Sequence, residues 1–194
     1  MKLYHIDKYG LLSPGQTIEL QSINVPCKIA DFFPDGLSAY GNNITGLMHF
    51  PSSIVDPNIS TVVNWMQLTA FNYELIFELV RQKNFTHLPS RFQSFFATDE
   101  KNLDHWLKRL NGIDNPPIYE IFFNHNNYCK LDESFLVGGL GIYNSARNIN
   151  DGPYYYSMEA YLSNAWAYWS GESSSEPHWE YLIVPPLNVG CRIR

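Results

Sequence analysis

The chain has 194 residues, of which 45% are apolar and 16% charged, a composition that predicts one globular domain spanning residues 1–194. Its net charge is −6 and its thirteen Lys and Arg residues are scattered, which excludes a general nucleic-acid binder because phosphate contacts need clustered cations. No stretch approaches the length of a membrane span. We therefore expect neither a nucleic-acid nor a membrane partner.

Two features of the sequence, the N-terminus and the cysteines, bear on where the chain is located. The first residues lack the apolar segment of a signal peptide, so we expect a chain made in the cytoplasm. Delivery into another cell then requires machinery that does not read Sec signals. The three cysteines Cys27, Cys129 and Cys191 form no C-x-x-C pair, which is typical of buried, reduced thiols.

The N-terminal half alternates short strands with turns. Residues 2–6 are predicted to form a strand, and Pro14-Gly15 marks a turn into a second short strand near Ile18. Turn-forming residues recur from 24 to 57, which predicts a loop-rich segment. Apolar residues at helical spacing then predict one long helix or two short ones over residues 59–83.

The C-terminal half predicts further strands with helices between them, and therefore an α+β fold. The segments are a strand at 92–97, a helix from Asp99 to about Leu110 that stops at Asn111-Gly112, a strand at 118–123, a loop at 138–157, a helix at 158–169, a buried strand at 180–184 and an extended segment at 189–193. The order of strands in the sheet is not predicted.

Three segments carry residues suited to chemistry: Tyr4-His5, the stretch from Ser90 to Ala97, and Glu180 at the head of an apolar strand. Each has an ordinary structural interpretation, as a structural histidine, an aromatic core strand and a solvent-facing strand end. A buried Glu180, however, needs a partner, because desolvating an unpaired carboxylate is costly.

In this order the three segments resemble the ADP-ribosyltransferases of the diphtheria- and cholera-toxin-like superfamily. Members carry Arg or His on a first strand, a Ser or aromatic residue on a middle strand, and a Glu on the last strand. The resemblance implies a split mixed or antiparallel sheet with flanking helices. It also implies a mono-ADP-ribosyltransferase, of the kind found in bacterial effectors, that cleaves the nicotinamide–ribose bond of NAD and modifies a protein side chain.

The resemblance also assigns residues. Glu180 is the implied catalytic carboxylate, since it would stabilise the oxocarbenium-like state of ribose. NAD is the co-substrate, and no metal is implied. His5 is expected at a ribose, Ser94 beside Glu180 or the ribose, and Arg91 at the pyrophosphate or on the surface. The full set of implied NAD-binding residues is Tyr4, His5, Ser90, Arg91, Ser94, Phe95 and Phe96, with Phe95 or Phe96 stacking on nicotinamide.

The acceptor site is where the sequence departs from the resemblance. Relatives that modify arginine carry a Glu two positions before the catalytic one, and His178 stands there. We expect Glu176 and His178, in the loop 170–179, to recognise the acceptor.

Three alternatives stay open: an NAD glycohydrolase, a small-molecule ADP-ribosyltransferase, and a non-catalytic carbohydrate- or protein-binding module. The six histidines form no zinc motif, and the glycines at 138–141 precede no helix pattern, so we interpret them as a turn.

Overall fold

The computed structural model describes residues 1–22, 31–46, 57–110, 115–124, 126–136 and 158–194, with the backbone alone at 57–70 and 158–159. The strands are β1 (Leu3–Ile6), β2 (Thr17–Ile18), β3 (Phe95–Ala97), β4 (Ile118–Phe123), β5 (Tyr128–Asp132), β6 (Trp179–Ile183) and β7 (Leu187–Arg192). The helices are α1 (Ala39–Gly46), α2 (Pro57–Asn84), α3 (Leu103–Arg109) and α4 (Met158–Ser170), with short 3₁₀ helices at Arg91–Gln93, Glu100–Asn102 and Glu133–Leu136.

The described strands form two separate antiparallel sheets. The first has the order β1-β4-β7-β2 and the second the order β3-β6-β5. In the second sheet, Ala97 pairs with Tyr181, and Leu131 of β5 pairs with Glu180 of β6. The predicted α+β class is therefore confirmed, with antiparallel pairing throughout the described strands.

The two faces of β6 contribute to different cores, because successive side chains of a strand point to opposite sides. Tyr181 and Ile183 pack with Leu3 and other residues of the first sheet. Leu182 instead packs with Tyr168 and Trp169 of α4 and with residues of α2. Since Glu180 lies two positions before Leu182, its side chain is on the helix-facing side of the sheet.

Most of the predicted elements are confirmed. The strands at 118–123 and 180–184 correspond to β4 and β6, and the helices at 59–83 and 158–169 correspond to α2 and α4. Gly171 follows α4 with a positive φ of 76°, as a glycine after a helix often does. The predictions for 24–30, 47–56, 111–112 and 138–157 lie outside the described residues.

Three local predictions were wrong or incomplete. The helix α1 lies inside the segment predicted as loop, because the Ser38 hydroxyl accepts a hydrogen bond from Gly41 N at 3.1 Å and caps it. Residues 91–93 form a 3₁₀ turn, so that strand begins only at Phe95. The strand β5 was not predicted. Among the described residues, no helix combines the length and hydropathy needed to cross a bilayer.

Candidate functional site

A buried charged network lies between the three-stranded sheet and the helices. At its centre is Arg91, in the 3₁₀ turn before β3, which donates from Nε to Glu74 Oε2 at 2.9 Å and from Nη1 to the Tyr168 hydroxyl at 2.8 Å. Nη1 also donates to Oε1 of Glu180. All four side chains are buried. Their desolvation is therefore offset mainly by their contacts with one another.

Glu180 is held at one of its two carboxylate oxygens. Arg91 and the Tyr168 hydroxyl, which donates at 2.6 Å, both bind Oε1. Among the hydrogen bonds between described residues, none ends on Oε2. A carboxylate oxygen in this position keeps its capacity to accept a hydrogen bond from a bound molecule.

The ion-pair core of the network carries one net negative charge, because two carboxylates share one guanidinium. Burial alone would lower the pKa of Arg91, but the carboxylates of Glu180 and Glu74 raise this pKa well above its ordinary value. Arg91 therefore stays charged. One negative charge is left in a desolvated setting, where electrostatic effects are stronger than in water.

Aromatic rings surround the guanidinium. Its central carbon lies 5.0 Å from the ring centre of Phe96 and 5.5 Å from that of Tyr168, distances at which cation–π attraction contributes. The Tyr40 hydroxyl donates to Glu74 Oε1, and burial raises the pKa of Tyr40 well above its usual value. Tyr40 is thus a neutral donor that helps to fix the second carboxylate.

Thr98 joins the three segments that carry the family resemblance. Its backbone N and O exchange hydrogen bonds of 2.8 Å with Tyr4 of β1. Its hydroxyl donates at 3.2 Å to the carbonyl of Trp179, the residue before Glu180. Because Thr98 directly follows β3, the first, middle and last elements meet at this one residue.

His5 also contacts the middle element. Its Nδ1 lies 2.7 Å from the Phe96 carbonyl, and its ring packs on Phe95 with a centroid distance of 4.3 Å. A carbonyl only accepts, so Nδ1 carries the proton and Nε2 is the acceptor nitrogen. Burial lowers the pKa of His5, which keeps the ring neutral.

The remaining predicted NAD-binding residues have structural roles. The Ser94 hydroxyl donates to the Ser90 carbonyl at 2.6 Å, and the Ser90 hydroxyl donates to Glu78 at 2.7 Å. Both serines therefore shape the turn that presents Arg91, and no hydrogen bond between described residues joins Ser94 to Glu180. Arg91 itself is buried, not at the surface, and its guanidinium pairs with the carboxylates of Glu74 and Glu180. Tyr4 packs in a small core with Ile118 and residues of α3.

The two residues predicted to recognise an acceptor, Glu176 and His178, do lie together. They line an open pocket of about 360 Å³ between the loop that follows α4, the helix α3 and the 3₁₀ helix after β5. The other lining residues are His105, Arg109, Glu133, Ser134, Ser174 and Ser175.

The buried Asp132 fixes the loop over this pocket. Its carboxylate accepts hydrogen bonds from the backbone N–H groups of Ser134 at 3.0 Å, Ser174 at 2.7 Å and His178 at 3.0 Å. Burial would raise the pKa of Asp132, but these hydrogen bonds outweigh burial and lower it. The pocket wall is therefore held in place although it has no regular secondary structure.

Two ionisable groups in the pocket, Glu133 and His105, have shifted pKa values. Burial raises the pKa of Glu133 to about 7, against the opposing effect of Arg109, which pairs with it. Burial and the nearby His178 and Arg109 lower the pKa of His105. The rings of His105 and His178 are stacked, with their centroids 3.5 Å apart.

One comparison with known proteins identifies a family. Residues 3–193 match the family described as "Protein of unknown function (DUF2441)". The chain belongs to this family. The description names no activity, and no protein with a curated description matches the chain significantly.

Several residues of both sites were missed by sequence reasoning. Glu74 and Tyr168 lie on helices, where their spacing indicates only an amphipathic pattern. His105 and Arg109 lie one turn apart on α3, on the same face. That spacing was the signal in the sequence for the pocket. The position of Glu133 beside His105 depends on β5, which was not predicted.

Proposed function

We propose that the chain cleaves the nicotinamide–ribose bond of NAD and transfers ADP-ribose to a protein side chain, with Glu180 as the catalytic carboxylate. The observation that carries this proposal is the convergence at Thr98. Its backbone pairs with Tyr4 and its hydroxyl reaches Trp179, so the three elements of the resemblance are neighbours. The division of the sheet, with β1 in one part and β3 and β6 in the other, also supports an ADP-ribosyltransferase-like fold.

The state of Glu180 suits this chemistry. Arg91 and Tyr168 fix Oε1, and Oε2 is left to accept a hydrogen bond from a ribose hydroxyl. When the bond between ribose C1′ and the nicotinamide nitrogen breaks, the electron pair leaves with neutral nicotinamide. Positive charge then develops on the ribose, and the net negative charge of the Glu74–Arg91–Glu180 group stabilises it.

His5 and Phe96 supply a second set of contacts. The Nε2 atom of neutral His5 is an acceptor and suits a ribose hydroxyl. Phe96 is half-buried and meets Tyr40 edge-on, with ring centres 4.8 Å apart. An aromatic wall next to Arg91 suits the planar nicotinamide.

The acceptor completes the reaction by attacking ribose C1′ and losing a proton. Glu176 and His178 line a pocket directly before the strand that carries Glu180, and they are the proposed contacts to a protein side chain. With water as the acceptor, the same cleavage gives free ADP-ribose, which is the glycohydrolase alternative.

Incubation with NAD labelled in the adenylate part tests the proposal, with and without cell lysate. Free nicotinamide measures cleavage, and labelled protein measures transfer. We expect Glu180→Gln to lower nicotinamide release by about 100-fold or more, the usual effect of one such electrostatic group. Glu180→Gln keeps one carbonyl oxygen, which can accept from both Arg91 and Tyr168, so the fold should persist by circular dichroism.

Two matched variants make the result specific. Glu74→Gln alters the same network at its other carboxylate and should reduce cleavage much less than Glu180→Gln. Glu120→Gln changes a half-buried glutamate of β4 and should leave cleavage unchanged. No nicotinamide release by the wild type, or equal losses in the Glu74 and Glu180 variants, contradicts the proposal.

A further inference from the structure

Three side chains from three different elements converge in the pocket beside β6. His105 lies on α3, Glu133 in the 3₁₀ helix after β5, and His178 directly before β6. Each offers one ligand atom, and these atoms lie within 4.8 Å of one another. We propose that His105, Glu133 and His178 bind a divalent transition metal ion of the zinc type. This proposal does not depend on the reaction with NAD, and an ion held here would leave Glu176, without His178, as the proposed contact to an acceptor.

The hydrogen bonds of His178 identify which of its ring nitrogens carries a lone pair. The single hydroxyl proton of Ser134 is donated to the Glu176 carbonyl at 3.2 Å. Ser134 Oγ also lies 3.2 Å from His178 Nδ1 and therefore accepts a proton from it. In the neutral ring Nε2 then carries a lone pair, which is the form that binds a metal.

His105 offers a second lone pair. Its Nε2 is buried and makes no hydrogen bond within the described residues. It lies 3.8 Å from Glu133 Oε2, too far for the two to share a proton in a hydrogen bond. Buried polar atoms are rarely left without a partner. A cation between His105, Glu133 and His178 supplies one partner for all three.

The spacing is close to what an ion requires. Two ligands of a tetrahedral zinc ion, each about 2.0–2.1 Å from the metal, lie about 3.4 Å apart. The three candidate ligand atoms lie within 4.8 Å of one another, and His105 Nε2 lies 3.8 Å from Glu133 Oε2. The two rings are stacked with their planes 17° from parallel, so their in-plane lone pairs do not converge, and one ring must turn out of the stack to bind the ion.

Outer contacts hold two of the three ligands, as is usual around protein-bound metals. Ser134 orients His178, and Arg109 pairs with Glu133 at Oε1 while Oε2 is the oxygen that faces His105. Arg109 adds a positive charge, but Glu133 and Glu176 bring two carboxylates to the same pocket. When Glu133 is deprotonated, as a metal ligand must be, the pocket therefore retains a net negative charge to accept a cation.

The ligand set favours zinc over the hard alkaline-earth ions. Two imidazoles and one carboxylate suit zinc and its neighbours, whereas Ca²⁺ and Mg²⁺ prefer oxygen ligands alone. Three protein ligands leave a fourth position of a tetrahedral ion open to water or to a bound molecule. The absence of a zinc motif in the sequence is explained by the origin of the ligands in three separate elements.

The test is calorimetric titration of the chelator-treated chain with Zn²⁺, with thermal unfolding as a second readout. We expect one equivalent to bind and the melting temperature to rise, because an ion that binds only the folded state stabilises it. With Co²⁺, a d–d absorption spectrum of tetrahedral type without a thiolate charge-transfer band is expected. His105→Ala should weaken Zn²⁺ binding by more than tenfold, and Ser134→Ala by about tenfold.

The matched control is His87→Ala, which removes an exposed histidine outside the pocket and should bind Zn²⁺ like the wild type. Circular dichroism of each apo variant separates loss of the site from loss of the fold. The proposal is overturned if the wild type binds less than one equivalent at micromolar Zn²⁺. It is also overturned if folded His105→Ala and Glu133→Gln bind as tightly as the wild type.

Discussion

Arg91 and Glu180 form a buried ion pair although 89 positions separate them in the chain. The pair brings the turn before β3 against the head of β6. Glu74 shares the same guanidinium from α2. One arginine therefore connects a helix, a turn and a strand.

Arg91→Met should lower the free energy of unfolding, because two buried carboxylates lose their common partner. Breaking a buried pair in this way typically costs about 3–5 kcal/mol. The free energy of unfolding in urea is the measurement. Arg192→Met, at an exposed position, is the matched control and should change this free energy by less than about 0.5 kcal/mol.

A double variant sharpens this prediction. If Arg91 stabilises mainly through the carboxylates, Arg91→Met should cost less in a Glu180→Gln background than in the wild type. Equal costs in both backgrounds would show that the charge of Glu180 contributes nothing to the effect of Arg91, which would then act through Glu74 or through packing.

Gly41 of α1 is expected to tolerate no side chain. A Cβ added there would lie 2.0 Å from the Phe92 carbonyl oxygen, which is backbone and has little room to move. Gly41→Ala should therefore cost at least about 2 kcal/mol of unfolding free energy. It should also loosen the turn that presents Arg91, since Ser38 binds the same carbonyl.

Gly46, at the end of the same helix, is the matched control. A Cβ there meets nothing within 4 Å. Gly46→Ala should leave stability unchanged or raise it by up to about 1 kcal/mol, because alanine has less conformational freedom to lose. Equal effects of the two substitutions in chemical denaturation would contradict the close approach of α1 to Phe92.

The sequence predicted the elements whose patterns are local. The strong runs at 118–123 and 180–184 and the helix at 158–169 depend on neighbouring residues, and the structure has them. It did not predict β5, because Tyr128–Asp132 contains no β-branched residue and includes a Lys and an Asp, which are uncommon in strands. That omission concealed how Glu133 reaches His178, with which it shares a backbone hydrogen bond of 2.8 Å.

The candidate sites were predictable only in part, for the same reason. Glu180 was identified because a carboxylate at the head of an apolar strand needs a partner. The partner, Arg91, was in the predicted set but with another role. Glu74 and Tyr168 were not identified, because their contacts depend on how α2 and α4 pack. Glu74 lies 17 positions from Arg91, and Tyr168 lies 12 positions from Glu180.

Cysteine reactivity provides an independent check on the network. Burial, with the Glu180 carboxylate nearby, raises the pKa of the Cys129 thiol to about 12. Thiolate is the reactive form, so Cys129 should resist iodoacetamide at pH 8. The exposed Cys191 should be alkylated at least about tenfold faster in the native chain. Peptide mapping by mass spectrometry measures both alkylation rates, and in urea the two rates should converge. Fast labelling of Cys129 in the native chain would contradict the packing around Glu180.

Asp99 should make stability depend on pH in the acid range. Burial would raise its pKa, but hydrogen bonds from Asn102 and from the Tyr181 hydroxyl, at 3.1 Å, outweigh burial and lower it. A carboxyl group whose pKa is lower in the folded chain than in the unfolded chain stabilises the fold above the unfolded value of about 4. This stabilisation is lost as the pH falls through the folded value.

Asp99→Asn should therefore lower the free energy of unfolding by about 1 kcal/mol at pH 7, since one carboxylate caps the 3₁₀ turn before α3 and binds β6. The difference between wild type and Asp99→Asn should stay constant from pH 8 to pH 5 and shrink below about pH 4. Urea unfolding of both chains at each pH measures it, and comparing differences cancels the titration of all other groups. Asp35→Asn, at an exposed turn, should show no such trend. A difference that persists at pH 2 would mean that the Asp99 contacts do not require the charged form.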